Sequence, residues 1–161
     1  MKRSVLFFTP LIVAAFLLTP AGAQQSAPYR ILISNDDGVR APSLAALAHA
    51  LTPLGEVIIV APAEDQSGVS QALTAATPVG REDLMLPGGL AAIGLFATPA
   101  TVMQIAIKNI VMPRPDLVVT GINTAYNLGS SAYLSGTVGA ARQAARILCF
   151  ARVQGVLTLT A

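Results

Sequence analysis

Two adjacent carboxylates follow a short apolar run near the start of the chain. Asp36 and Asp37 stand between Asn35 and Gly38, just after a short run at 29–34 whose centre, Ile31 to Ile33, is apolar. Two ionised carboxylates a few ångströms apart repel each other, and the pKa of one rises unless a cation compensates. Hard divalent ions such as Mg²⁺ and Mn²⁺ prefer carboxylate, amide and hydroxyl oxygens. The same stretch also fits an ordinary turn, in which Asn35 and Asp36 fold onto the backbone and Gly38 takes a positive φ.

Two later polar loops offer further oxygen ligands. Ser67 lies in the loop at residues 63–70, and Asn123 lies in the loop at residues 121–136. The chain has one histidine and one cysteine, so it cannot build the cluster of soft ligands that is typical of zinc sites. His49 lies roughly opposite the leucines of its predicted helix, and we interpret it as a solvent-facing residue rather than as a catalytic base.

Ser135, Gly136 and Thr137 precede an alanine-rich helical pattern. A serine at this place predicts a helix N-cap, and the free backbone N–H groups of such a helix start also suit a phosphate group. A metal beside a phosphate seat favours phosphoester hydrolysis, with the cation activating water and the amides taking developing charge.

Alternating strand and helix patterns must position these loops. Strand patterns at 29–34, 57–61, 91–96, 116–120 and 156–159 alternate with helical patterns at 42–54, 100–110 and 136–148, while residues 72–90 fit short strands or hairpin arms. In the first helix, Leu44, Leu47, Leu51 and Leu54 share one face. The order predicts a three-layer α/β/α Rossmann-like domain with a mostly parallel sheet. Ligands bind such sheets beyond the carboxyl ends of the strands, where the three polar loops can converge.

The first 23 residues have the parts of a secretory signal peptide. Lys2 and Arg3 form a basic start, residues 5–18 are apolar, and residues 21–23 are small. The apolar run is shorter than the roughly 20 residues of a membrane span. We therefore expect a cleaved signal peptide at 1–23, a flexible leader at 24–28 and a domain at 29–161, exported to the periplasm or secreted. A leader that stays attached would instead make a membrane-tethered interaction module.

Charge after cleavage is balanced. Removing residues 1–23 takes away Lys2 and Arg3, so eight basic residues remain beside eight acidic ones. No basic stripe is left to follow a phosphate backbone, which argues against a nucleic-acid polymer as partner and favours a small molecule. Cys149 is the only cysteine, so an intrachain disulfide is excluded.

Taken in order, these stretches resemble the SurE family of survival-protein nucleotidases. The matching motifs are NDDG at 35–38, APxxxxSG at 61–68, RPDxVxxGIN at 114–123, NLG at 127–129 and SGTV at 135–138. The resemblance spans residues 30 to about 141. It implies a phosphatase that uses Mg²⁺ or Mn²⁺ and acts on nucleoside 5′- and 3′-monophosphates, and in some members on short polyphosphates.

The resemblance also implies roles for particular residues. The family's metal ligands match Asp36, Asp37, Ser67 and Asn123. Its phosphate contacts match Asn127, Ser135, Gly136 and Thr137. Asp36 and Asp37 are then the catalytic pair, forming a metal cup in which one carboxylate can also orient the attacking water.

The chain departs from the family pattern in several places. Ala125-Tyr126 stands where the family has glycine and proline, Ser130-Ser131 replaces two acids, Ala97 and Thr101 replace the glycine and acid of a GTPxD stretch, and Gln143 replaces a glutamate. Family members also continue past the strand near residue 159 into an arm used for assembly. We therefore expect a C-terminally truncated domain, with little support for a homo-oligomer. The alternative function is a non-catalytic remnant that binds metal or nucleotide without turnover.

Overall fold

The computed structural model describes residues 28–148 and the backbone of a strand at Gly155–Thr160. The predicted signal peptide, all but the last residue of the predicted leader, and Cys149 lie outside the described residues. Over the described part of the chain, no helix has the length and apolar character to cross a bilayer.

Six strands and four helices are formed by the described residues. The strands are β1 (Arg30–Ser34), β2 (Glu56–Pro62), β3 (Arg81–Leu86), β4 (Leu90–Leu95), β5 (Leu117–Asn123) and β6 (Gly155–Thr160). The helices are α1 (Pro42–Leu51), α2 (Pro99–Ile105), α3 (Ser131–Leu134) and α4 (Gly136–Leu148). A 3₁₀ turn at Thr52–Leu54 follows α1, and a π-helical turn at Ala106–Ile110 follows α2.

The strands form one sheet in the order β3-β4-β2-β1-β5-β6. All neighbours pair in parallel except β3 and β4, which form an antiparallel hairpin. In the central strand, Ile33 pairs with Ile59 on one side and with Val119 on the other. The predicted mostly parallel sheet is therefore confirmed, and β1, β2 and β5 end at the same edge.

Helices cover both faces of the sheet because alternate strand residues point to opposite sides. On one face, Ile31 and Ile33 pack in a cluster with Leu44 and Leu47 of α1. On the other face, Leu32 packs in a cluster that includes residues of both α2 and α4. These two cores confirm the three-layer α/β/α architecture.

Local predictions were confirmed only in part. Within the region 72–90 that fits short strands or hairpin arms, residues 72–80 form no strand. Residues 81–86 do form β3, which makes a hairpin with β4 across Gly88 and Gly89, with φ of +83° and +78°. Leu54 is 64% exposed rather than buried with its leucine neighbours. The 3₁₀ turn has about 3.0 residues per turn instead of 3.6, so Leu54 leaves the inward face of the helix. His49 is solvent-exposed, as predicted, and its Nε2 lies 3.2 Å from the carbonyl oxygen of Pro87.

Candidate active site

The loops after β1, β2 and β5 close around one pocket of about 220 Å³. Six of the eight predicted site residues line it: Asp36, Asp37, Ser67, Asn123, Asn127 and Ser135. The expected convergence of three separated loops at the carboxyl edge of the sheet is therefore what the structure shows.

The first loop contains a turn that Asn35 and Gly38 close. Asn35 donates a hydrogen bond from Nδ2 to the carbonyl oxygen of Gly38 at 3.0 Å. Gly38 has a φ of +100°, and a side chain there would also crowd the backbone of Glu64. The turn interpretation thus holds for Asn35 and Gly38, which places Asp36 and Asp37 at the pocket.

Asp36 is 2% exposed and rests against the start of α4. The hydroxyl of Thr137 donates a hydrogen bond to its Oδ1. Burial raises the pKa of Asp36 above its ordinary value, and the charge of Asp37 raises it further, while the hydrogen bonds from Thr137 lower it. Because burial is the largest of these effects, the site is one in which a neighbouring cation would stabilise the ionised form.

Asp37 lies beside it and is half-buried. Its Oδ1 accepts a hydrogen bond from the Thr124 hydroxyl at 3.0 Å. Its Oδ2 is buried and has no hydrogen-bond partner in the structure. An unpartnered buried carboxylate oxygen is costly unless a cation or ligand binds it, so this atom marks the pocket as a binding site.

Ser67 and Asn123 are oriented by bonds to their own loops. The backbone N–H and hydroxyl of Ser67 both donate to Oδ1 of Asp65, at 2.8 and 2.6 Å. These bonds lower the pKa of Asp65, and they leave the lone pairs of the Ser67 oxygen available. The amide Nδ2 of Asn123 donates to the carbonyl oxygen of Ala125 at 2.7 Å, so its Oδ1 is the remaining ligand atom.

Of the four residues predicted to contact phosphate, two line the pocket and two lie behind it. Ser135 lines the pocket, and its Oγ accepts a hydrogen bond from the N–H of Val138 at 3.2 Å, which confirms the predicted N-cap. Asn127 also lines the pocket, and its buried Nδ2 is without a partner. Thr137 is fully buried behind Asp36, and Gly136 packs directly against the Asp36 side chain. The phosphate contacts of Gly136 and Thr137 stay a prediction.

The family model described as "Survival protein SurE" matches residues 31–150. This chain belongs to the SurE family. It is 46% identical over 112 residues to a 5′-nucleotidase SurE of Ectopseudomonas mendocina, covering 70% of this chain and 43% of the relative. A 5′-nucleotidase SurE of Aeromonas hydrophila is 45% identical over 116 residues, covering 71% and 46%.

Solved structures agree with this membership. The SurE protein of Aquifex aeolicus superposes with a TM-score of 0.63 at 37% identity, covering 74% of this chain and 47% of that one. This SurE-family chain therefore spans less than half the length of these relatives.

Within the SurE domain, two supporting residues were not predicted from the sequence. The Thr124 hydroxyl donates a hydrogen bond to Asp37, and Asp65 accepts one from the Ser67 hydroxyl. Each is a polar neighbour of a predicted ligand, with Thr124 next to Asn123 and Asp65 two residues before Ser67. That closeness in sequence was the available signal.

The donor set of this SurE domain fits a hard cation. No group of three or more His, Cys, Asp or Glu side chains suited to a metal exists among the residues that the structure describes. A cation at the pocket would therefore bind the carboxylates of Asp36 and Asp37 together with neutral oxygens of Ser67 and Asn123. Carboxylate, hydroxyl and amide oxygens are the ligands that Mg²⁺ and Mn²⁺ prefer.

Proposed function

We propose that this chain is a divalent-metal-dependent phosphomonoester hydrolase that releases phosphate from nucleoside 5′-monophosphates, and also from 3′-monophosphates. One observation carries the proposal: the paired carboxylates of Asp36 and Asp37 line a single pocket with Ser67 and Asn123, and Oδ2 of Asp37 is buried there without a partner. The curated relatives bear the name 5′-nucleotidase SurE, which supports the same activity.

Asp36, Asp37, Ser67 and Asn123 would hold the metal, which we propose to be Mg²⁺ or Mn²⁺. When bound, such an ion polarises phosphoryl oxygens and lowers the pKa of a coordinated water. The chain itself fixes the two carboxylates before substrate arrives. Thr137 holds Asp36 and Thr124 holds Asp37, so neither side chain has to be ordered during binding.

Two donors face the place where a phosphate would sit. The Nδ2 of Asn127 has no other partner, and the Ser135 hydroxyl keeps its own hydrogen to donate because its oxygen accepts from Val138. Ser135 also stands at the start of α4, where the helix favours negative charge. These groups would bind the phosphoryl oxygens and stabilise the charge that develops on them.

Exposed apolar side chains lie at or next to the pocket lining. Leu134 lines the pocket and is 63% exposed, and Tyr126, between the lining residues Ala125 and Asn127, is 72% exposed. Rings and aliphatic groups of this kind pack against the flat face of a base without reading its edge. We therefore propose a nucleotide as substrate, with little discrimination among bases.

The test is phosphate release from AMP by the purified chain with Mn²⁺. We expect turnover that a chelator abolishes, and at least a hundredfold loss in Asp37→Asn, since even residues supporting a metal ligand are worth roughly 10- to 100-fold. Asp83→Asn is the matched control, because Asp83 is an exposed carboxylate bound to Arg81 outside the pocket. Turnover that survives chelation and Asp37→Asn would overturn the proposal.

A second function, binding without turnover, is favoured by the altered pocket loop. Ala125 and Ser131 line the pocket at positions where the sequence departs from the family pattern. Calorimetry with AMP and Mn²⁺ separates the two functions: binding without phosphate release supports the second, and turnover excludes it.

We also propose that the domain works outside the cytoplasm. The support is the basic, apolar and small-residue order of residues 1–23. Nucleotides and small phosphoesters outside the cytoplasm would then be its substrates.

A further inference from the structure

A second cavity, of about 460 Å³, lies between α2 and α4 and is lined by basic side chains. Lys108, Arg114 and Arg146 line it, and Gln104 and Gln143 lie with them. We call this cavity the basic groove. From Gly136 at the active site to Arg146, α4 rises about 15 Å, so the groove is separate from the metal pocket.

Among the described residues, no carboxylate pairs with the three cations of the basic groove. Across residues 28–148, none of their side chains forms an ion pair or a hydrogen bond, whereas Arg30, Arg40 and Arg81 each bind a carboxylate. All eight Asp and Glu residues lie between positions 36 and 116, inside the described part. In the described part of the chain, none of these carboxylates forms an ion pair with Lys108, Arg114 or Arg146.

Favourable interactions with helix dipoles explain the positions of only two of the three cations. Lys108 and Arg146 stand in the last turns of their helical segments, where a cation is favourable. Arg114 lies in the connection before β5 and has no such benefit. Bringing three like charges into one cavity is unfavourable by itself, so a bound anion would stabilise the arrangement.

Two of the residues that line the groove are amides joined by a hydrogen bond. Gln143 is 2% exposed, accepts a hydrogen bond from Gln71 at 3.0 Å and donates one to Oε1 of Gln104 at 3.1 Å. This chain of amides fixes Gln104 and leaves its Nε2 as a donor at the groove. The site thus combines three cations with a fixed neutral donor, which suits phosphoryl oxygens.

We propose that the basic groove binds a small anion carrying several phosphate groups, such as a polyphosphate or the phosphate tail of a nucleoside polyphosphate. The volume admits a compact ligand, and the unpaired cations gather in one cavity instead of forming the long stripe that a nucleic-acid strand needs. This site lies outside the hydrolytic pocket and does not depend on the proposed activity.

The probe is inorganic tripolyphosphate, titrated calorimetrically into the full chain in a chelator, which keeps divalent metal from the active site. We expect binding that weakens as salt rises, because exposed charges are screened. Arg114→Gln/Arg146→Gln should weaken binding at least tenfold. The control Arg40→Gln/Arg81→Gln removes the same charge from arginines that already have partners, and should change binding less than twofold.

Two further measurements make the result decisive. Arg114→Lys/Arg146→Lys keeps the charges and should retain most of the binding, which separates lost charge from lost folding. Asp37→Asn should bind tripolyphosphate like the wild type, which locates the ligand outside the hydrolytic pocket. The proposal is overturned if wild type does not bind at low salt, if both double Gln variants lose affinity equally, or if hexaglutamate binds more tightly than tripolyphosphate, since the groove would then fit an acidic protein.

Discussion

The hydroxyl of Thr137, at the second residue of α4, donates a hydrogen bond to the carboxylate of Asp36, which lies 101 residues earlier in the chain. This bond joins the loop after β1 to the helix after β5. Because Asp36 is almost completely buried, the bond offsets part of the cost of desolvating its charge.

Thr137→Val removes this donor while keeping the shape of the side chain. We expect the free energy of unfolding in a chelator to fall by about 1–3 kcal/mol, because a buried acceptor loses its partner. Thr137→Ser keeps the hydroxyl and should lose clearly less. Urea unfolding of the three proteins measures both values, and an equal loss in the two variants would show that packing, not the bond, stabilises this contact.

Asp36→Asn should make the metal-free protein more stable at neutral pH. The folded-state pKa of Asp36 is raised above its ordinary value of 3.8, so the ionised carboxylate destabilises the fold above that pH. Below pH 3.8 the group is protonated in both states and the penalty disappears. The stability advantage of the variant should therefore shrink as pH falls from 7 toward 4. Thermal unfolding across this range in a chelator checks it, and an advantage that grows on acidification would contradict the cause.

At the proposed metal site, Mn²⁺ should stabilise the wild type, because the loops that would hold the ion come together only in the folded state. At about 100 times its dissociation constant, a ligand adds about 2.7 kcal/mol to the free energy of unfolding. Asp37→Asn should lose most of this gain, since Oδ2 of Asp37 is the unpartnered oxygen of the pocket. Asp83→Asn should keep it. A Mn²⁺-dependent shift of the melting temperature that is the same in all three proteins would place the metal elsewhere.

Gly139→Ala tests how closely α4 approaches the loop after β2. A Cβ at this position would overlap the backbone carbonyl oxygen of Ser70. A backbone atom cannot relieve this overlap by a change of side-chain rotamer. Overpacking lowers the free energy of unfolding by about 1–3 kcal/mol, whereas the better helix propensity of alanine raises it by only about 1 kcal/mol. We therefore expect a net loss of stability. Gly80→Ala is the control, because its Cβ meets only the ring of Phe96, which is half exposed and free to rotate. Chemical denaturation should rank Gly139→Ala as the less stable variant.

Export should produce a chain that begins at Gln24, the residue after the small-residue stretch 21–23. N-terminal sequencing of the protein recovered from the periplasm or medium tests this. A product that keeps Lys2 and Arg3 and fractionates with membranes would favour the tethered alternative instead.

Much of the fold follows from local patterns. Strands buried on both faces need continuous apolar runs, and residues 57–61 and 116–120 show them, so β2 and β5 were predictable. The hairpin of β3 and β4 was harder to place, because exposed and buried residues mix along β3. The prediction that Leu54 lies on the inward helix face was wrong because a 3₁₀ turn changes the number of residues per turn.

The sequence by itself determined which oxygen-bearing side chains are candidate ligands and the edge of the sheet at which they lie, because these residues follow strands and parallel strands end together. Only the tertiary structure decided which of these side chains contact one another. Ser135 reaches the pocket while Thr137 supports Asp36, because Gly136 and Gly139 let α4 approach the neighbouring backbone closely. Likewise, Lys108, Arg114 and Arg146 share a groove only because α2 and α4 pack side by side. Contacts between residues far apart in the chain depend on how helices pack on the sheet, and local sequence does not carry that information.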